Sequence, residues 1–217
     1  MLIGALANKI RSVLRNEKVV HQLEFFLPEN ARKTIAFGVP NQFLLRPYTH
    51  SDQQAILDLM KAAGFDCWNG DTLKQAMTLC VPDGFILLID GSNGNIVSTM
   101  MARHLSDQLH PYGGRIDWLA ADPNYQGKGA GYLAAAAVVN RLIEINYRYI
   151  YVTTDDFRLA AIKTFLKIGF LPNLYRPEMY ARWEAICQKL AFPFEPESWN
   201  TARLELLQYC EYNAEAR

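Results

Sequence analysis

The chain has 217 residues, with 22 Lys plus Arg against 22 Asp plus Glu, and half of its residues are apolar. That length suits one ordinary domain plus some extra, and the composition lies far from the disordered and collagen-like extremes. A zero charge balance argues against a protein built mainly to coat nucleic acid or anionic membrane, because those partners select an excess of basic residues. The cysteines, Cys67, Cys80, Cys187 and Cys210, make no CxxC pair, so reduced thiols and a cytoplasmic location are expected. The apolar opening, residues 1–7, is short and is followed by Lys9 and Arg11 instead of being preceded by them, which does not match a signal sequence. No apolar run approaches the length of a membrane span.

Taken in chain order, residues 2–15 carry Leu2, Leu6, Ile10, Val13 and Leu14 on one side, which predicts an amphipathic helix. Two short apolar runs follow, 23–27 and 34–39, each closed by a proline (Pro28, Pro40), and these predict edge strands or turns. Residues 43–47 predict a strand. Ser51-x-x-Gln54 predicts a capped helix that Gly64 can end, and another helix starts near Asp71. Residues 85–90 and 96–103, joined by Gly91-Ser92-Asn93-Gly94, predict a hairpin. A strand over 116–121 leads through Asp122-Pro123-Asn124 into glycines and a helix from Gly131 to about Asn146. A strand over 149–153, a helix over 159–168, a turn at Gly169 and a closing hairpin complete the order. The expected class is α/β: a single-layer mixed sheet with helices on its faces.

The most informative stretch is Asp122-Pro123-Asn124-Tyr125-Gln126-Gly127-Lys128-Gly129-Ala130-Gly131-Tyr132. A strand that runs into glycines opening a helix aims several backbone N–H groups at one place, a nest suited to phosphate or pyrophosphate. Lys128 has no Ser or Thr after it, which rejects a P-loop, and Gly127-x-Gly129-x-Gly131 lacks the final spacing of a dinucleotide fingerprint. The remaining class is the pyrophosphate of coenzyme A. Gln126-x-x-Gly129-x-Gly131 resembles the [QR]-x-x-G-x-[GA] motif of the GNAT N-acetyltransferases. Leu119-Ala120-Ala121-Asp122-Pro123 is similar to that family's fourth strand, and Ala161-Ile162-Lys163-Thr164-Phe165-Leu166-Lys167-Ile168-Gly169-Phe170 to its later helix and "GF" turn. Leu45-Arg46-Pro47 and the capped helix after it look like the family's first strand and helix.

The resemblance spans roughly 43–183. It implies the acyl-CoA N-acyltransferase fold, a mostly antiparallel sheet whose central strands splay apart to admit the pantetheine arm. Acetyl-CoA is the implied co-substrate, with no metal. By carry-over, Leu119, Ala120 and Ala121 lie along the arm, and Gln126, Gly127, Lys128, Gly129, Ala130, Gly131 and Tyr132 surround the pyrophosphate; the bland reading is an ordinary helix entry. The family's tyrosine general acid is replaced by Phe165, and its usual asparagine by Arg158, which either touches the cofactor or is a solvated helix-start residue. For the base, Asp117 and His104 are candidates; the alternative for Asp117 is a carboxylate paired with Arg115 or Arg103. Trp68, Tyr112, Tyr175 and Trp183 fall in the segments expected to wall the acceptor pocket.

The implied activity is acetyl transfer to a primary amine of a small molecule or peptide, by direct attack in a ternary complex. The alternative is a catalytically weak acyl-CoA-binding module. Neither nucleic acid nor membrane is an expected partner. The flanks, 1–42 with net charge +3 and 184–217 with −3, are expected to pack on the 43–183 domain or on each other, pairing their charges, or else to form a homodimer or partner contact. Trp199, Ala202, Leu206 and Cys210 give the second flank one apolar helical face.

Overall fold

The computed structural model describes residues 21–215. Its strands are β1 (Leu23–Phe26), β2 (Phe43–Pro47), β3 (Cys80–Asp90), β4 (Ile96–His104), β5 (Gly113–Ala121), β6 (Tyr149–Thr154) and β7 (Leu171–Asn173). The α-helices are α1 (Gln53–Ala62), α2 (Gly70–Met77), α3 (Ala130–Glu144), α4 (Leu159–Ile168), α5 (Pro177–Leu190) and α6 (Pro196–Glu215). The amphipathic helix expected over 2–15 lies outside the described residues. All seven strands join one sheet in the order β2-β3-β4-β5-β6-β1-β7, antiparallel throughout except where β5 and β6 run parallel.

That parallel pair holds for only four residues, from Gly113↔Tyr149 to Ile116↔Val152, after which the strands part. The cause lies in β5. Opposite β4 the register jumps from Met101↔Asp117 to Thr99↔Ala120, so β5 carries one extra residue. Trp118 takes up that extra length with a φ of +61°, a left-handed conformation that costs a bulky residue energy and is held only by firm surroundings. Its ring is fixed edge-on against Trp68, 4.9 Å between centroids, and Phe65, 5.9 Å. The bulge thus turns the second half of β5 away from β6.

One sheet face is covered by α3, α4 and α5. Ala134, Ala135 and Ala136 are fully buried, and their short side chains let α3 settle over β3, β4 and β5. The other face is covered in two places. Helices α1 and α2 pack Ile56, Met60 and Leu73 on Phe85, Leu87 and Met101, while α6 packs Leu206 and Cys210 on Phe26, Tyr149 and Tyr151. The start of α6 also places Trp199 against Trp183 of α5, so this helix joins both faces past the β7 edge.

Several expectations need correction. Residues 23–26 form an internal strand, hydrogen-bonded to β6 on one side and β7 on the other, and all four are buried. Pro28 does not prevent this, because it lies beyond the last paired residue and the preceding Leu27 N–H still reaches Ile150 O at 2.9 Å. Residues 34–39 form no strand; the backbone of Ile35 pairs with the side-chain amide of Asn140, at 2.7 and 3.0 Å. In place of a closing hairpin, β7 pairs with β1 and the chain turns into α5, with Pro177 in its first turn, where the missing N–H is harmless. The cap before α1 is built from Thr49 and Asp52, with Asp52 also bound by both terminal nitrogens of Arg46 at 2.7 Å; Ser51 and Gln54 do not form it. Among the described residues no ion pair joins the two flanks. They meet instead through Phe26 packed with Leu206 and Cys210 and through Arg32 over the Tyr209 ring, 5.1 Å from its centre.

All four cysteines are free, and among the described residues no helix is long and apolar enough to cross a membrane.

Candidate active site

The glycine turn sits at the foot of α3. Gly127 and Gly129 have φ of +77° and +78°, and open space stands where a Cβ would be, so a side chain there would be strained and would fill the concavity. Gly129 caps α3 without a side-chain partner. The first helix N–H to find an internal acceptor is that of Leu133, 3.1 Å from Gly129 O. The amides of Ala130, Gly131 and Tyr132 therefore point outward unpaired, as the start of a helix requires, at the positive end of its dipole. Tyr125 anchors the turn by donating its hydroxyl hydrogen to Asp90 at 2.5 Å, and Lys128 stands 4.6 Å above the Tyr125 ring.

Two cavities meet at Leu119 and Ala161, which line both. The larger, about 380 Å³, runs between the glycine turn and α4. Ala121, Gln126, Gly127, Gly129, Ala130, Gly131 and Tyr132 line its one wall, and Ala160, Lys163, Thr164 and Lys167 the other. Lys163 and Lys167 went unrecognised in the sequence, because their i, i+4 spacing on a helix reads as a solvated face until α4 is seen opposite the turn. Ala120 is buried under α1 and α2, with its carbonyl receiving the Ser98 hydroxyl at 2.9 Å, so its neighbours Leu119 and Ala121 face the groove.

The second cavity, about 200 Å³, fills the gap where β5 and β6 part. Asp117 lies in it and is nearly buried. Arg103 Nη1 reaches one of its oxygens at 2.8 Å and Arg115 Nε the other at 2.8 Å. Thus Asp117 is ion-paired with both arginines; Arg103 donates it a hydrogen bond, whereas Arg115 Nε approaches without hydrogen-bond geometry. Arg115 also donates to Thr153 Oγ1 at 2.9 Å. Across the gap, Arg158 lies 4.6 Å from the Phe65 ring centre and spends its Nε on Asp155 at 3.4 Å. Gln22, just before β1, donates to Asp155 at 3.0 Å and accepts from Thr153. Sequence reasoning missed Gln22 and Trp118, since only the insertion of β1 and the bulge in β5 bring them here; Phe65 lies in 64–70, a segment expected to wall the acceptor pocket, although Trp68 was the aromatic expected from it.

The structure separates two predicted residues, His104 and Phe165, from this cleft, and places a third, Arg158, away from the glycine turn. His104 lines a different cavity, beside Tyr112 and Tyr147, and shares a 2.9 Å hydrogen bond with the Tyr147 hydroxyl. Phe165 is inside the main core, 1% exposed, between Phe25 and Phe170, and lines neither cavity. Arg158 sits at the pocket end of the cleft, away from the glycine turn. The expected aromatic wall is different too. Trp68 and Trp183 are core, Tyr112 lies under Arg148, and Tyr175 bonds Gln22 O, so Phe65 and Trp118 are the aromatics that line the pocket. No cluster of metal-ligating side chains is present among the described residues.

Comparison with known proteins places this geometry. The chain is 26% identical over 143 residues to a mycothiol acetyltransferase of Nocardia farcinica, covering 62% of this chain and 47% of that protein. A GCN5-related N-acetyltransferase of Sphaerobacter thermophilus superposes with a TM-score of 0.59 at 13% identity, over 76% of this chain and 53% of that one. A putative GNAT acetyltransferase of Novosphingobium aromaticivorans gives 0.51 at 14%, over 70% and 59%. The chain thus spans about half the length of these relatives, and the structural likenesses speak to the fold. Residues 48–170 match the family described as acetyltransferase (GNAT), more than half of the sequence, and the chain belongs to that family.

Proposed function

We propose that the chain transfers an acetyl group from acetyl-CoA to the amine of a small molecule, by direct attack with both bound together. The observation that carries this reading is the continuity of the two cavities. A groove floored by backbone donors opens at Leu119 onto a small polar pocket. The residues present fit the coenzyme: the amides at the start of α3 lack internal acceptors, the glycines leave room for an anion, and β5 beyond Ile116 has no strand partner on the β6 side.

In this reading the pyrophosphate lies on the amides of Gly129 to Tyr132, with Lys128, Lys163 and Lys167 around it. The pantetheine arm follows Leu119, Ala120 and Ala121 in place of the missing strand. Bound acetyl-CoA supplies an acyl group on a good leaving group, a thiol of reference pKa about 8.5. The chain's contribution is alignment, which can be worth about 7 to 11 kcal/mol, against roughly 10²- to 10⁴-fold for general acid–base help. Phe165 is core and has no proton to give. Asp117 acts by holding Arg103 and Arg115 in place, and the amine loses its proton to water.

The missing acid also favours a second reading, a catalytically weak acyl-CoA-binding module. Thiol release from acetyl-CoA with a panel of amines separates the two. Turnover supports the transferase; tight binding of acetyl-CoA with no turnover on any amine supports the module.

A further inference from the structure

The acceptor pocket carries a charge pattern that narrows the substrate class, on the assumption that the transferase reading holds. Its charged lining comprises Arg103, Arg115 and Arg158 against Asp117 and Asp155, an excess of one positive charge. Arg103 and Arg115 are tied to Asp117. Arg158 is different. Only its Nε is engaged, by Asp155 at 3.4 Å, and among the described residues neither terminal nitrogen has a hydrogen-bond partner. The Phe65 and Phe157 rings lie 4.6 Å and 5.4 Å from its guanidinium carbon, an aromatic seat for the charge. A planar fork with two free donors, held on an aromatic ring, suits a bidentate carboxylate. The pyrophosphate turn has no claim on it, because Arg158 lies in the other cavity. The pocket's 200 Å³ falls below the roughly 300–1,000 Å³ of drug-sized ligand sites.

We infer that the acceptor is a small amine that also carries a carboxylate, of the size of a free amino acid, and that Arg158 receives that carboxylate. A purely cationic amine would meet uncompensated positive charge, and an uncharged one would leave the fork unpaired.

The test uses the twenty amino acids, each against its α-amide, with wild type and the Arg158→Gln and Arg158→Lys variants. Wild type is expected to prefer acids over amides by about 10- to 100-fold in kcat/KM, carried mainly by KM. Arg158→Gln should erase that preference while acetyl-CoA still raises its melting temperature, and Arg158→Lys should restore part of it. Equal use of acids and amides, or an equal loss on both in Arg158→Gln, overturns the inference. If no amine is turned over, the transferase reading fails by itself. The same acid–amide comparison, made by calorimetry on the coenzyme A-loaded protein, then decides the pocket. Tighter binding of the acid that depends on Arg158 sustains the inference, and no measurable binding of any of the twenty overturns it.

Discussion

Gly129 and Phe165 occupy opposite ends of what a single residue can do here. At Gly129 the φ of +78° and the open space beside it make any side chain both strained and obstructive. A ligand at 100 times its dissociation constant stabilises a fold by about 2.7 kcal/mol, and domains of this size shift by about 2–4 °C per kcal/mol. Acetyl-CoA should therefore raise the melting temperature of the wild type by roughly 5–10 °C, and that of Gly129→Glu not at all. At Phe165 the substitution that looks like a repair of the missing acid should fail. A Phe165→Tyr hydroxyl would enter a core of Phe25, Phe170 and Ile162, and a buried unpaired hydroxyl costs about 1–3 kcal/mol. We expect a lower urea midpoint and no faster thiol release; a faster release would mean that the ring can turn into the cleft. The glycine turn was legible in the sequence because its backbone requirement is local. Arg158 was visible only as a departure from pattern, since Phe65, whose ring its guanidinium lies against, is ninety-odd residues away and meets it only through the fold.

Strand β1 is the element on which a division at residue 43 would founder. Its four residues supply hydrogen-bond partners to both β6 and β7, and Phe25 packs edge-on to Trp183 at 4.7 Å and against Phe165 at 5.7 Å. Without β1, β7 has no strand partner, and Leu23, Phe25, Phe26 and Leu27 leave holes on both sides of the sheet. The stretch 43–183 expressed alone should therefore be insoluble or aggregated, with unpaired edges exposed. In the full chain, Phe25→Ala should cost about 3–5 kcal/mol in denaturant unfolding. A well-folded 43–183 fragment that binds acetyl-CoA would refute this account. Why β1 was misjudged follows from the same facts: its place is set by pairing with residues 151–154 and 171–173, whereas the local signal, an apolar run before Pro28, describes an edge equally well. The bulge at Trp118 was equally hidden. The strand expected over 116–121 gave no local sign of it, and only the register against β4 reveals the extra residue.

At the scale of the whole molecule, one buried polar cluster ties the inserted strand to the rest of the sheet. Glu24 of β1 takes a hydrogen bond from Asn173 of β7 at 2.5 Å and meets His110 Nε2 at 3.1 Å, while Asp107 meets His110 Nδ1 at 2.9 Å. The imidazole lies flat on Tyr151 of β6, 3.9 Å between centroids, with the Tyr149 ring edge-on. Two carboxylates need two donors, and only the imidazolium has both. Burial by itself lowers the His110 pKa, but the Glu24 hydrogen bond and charge, together with Asp107, outweigh it and leave the value raised. Burial also pushes the Tyr149 and Tyr151 phenols up, so they stay neutral across the working range. A histidine whose pKa is higher folded than unfolded contributes stability that is fully present below its unfolded value, near 6.5, and is lost as pH rises through its folded value. Urea midpoints of the wild type should accordingly fall between pH 6 and pH 8 relative to those of His110→Gln, which keeps a donor but has no charge to lose. Parallel pH profiles for the two proteins would show that His110 is neutral in the fold, and that the junction of β1, β6 and β7 is held by packing and by the Glu24–Asn173 bond without it.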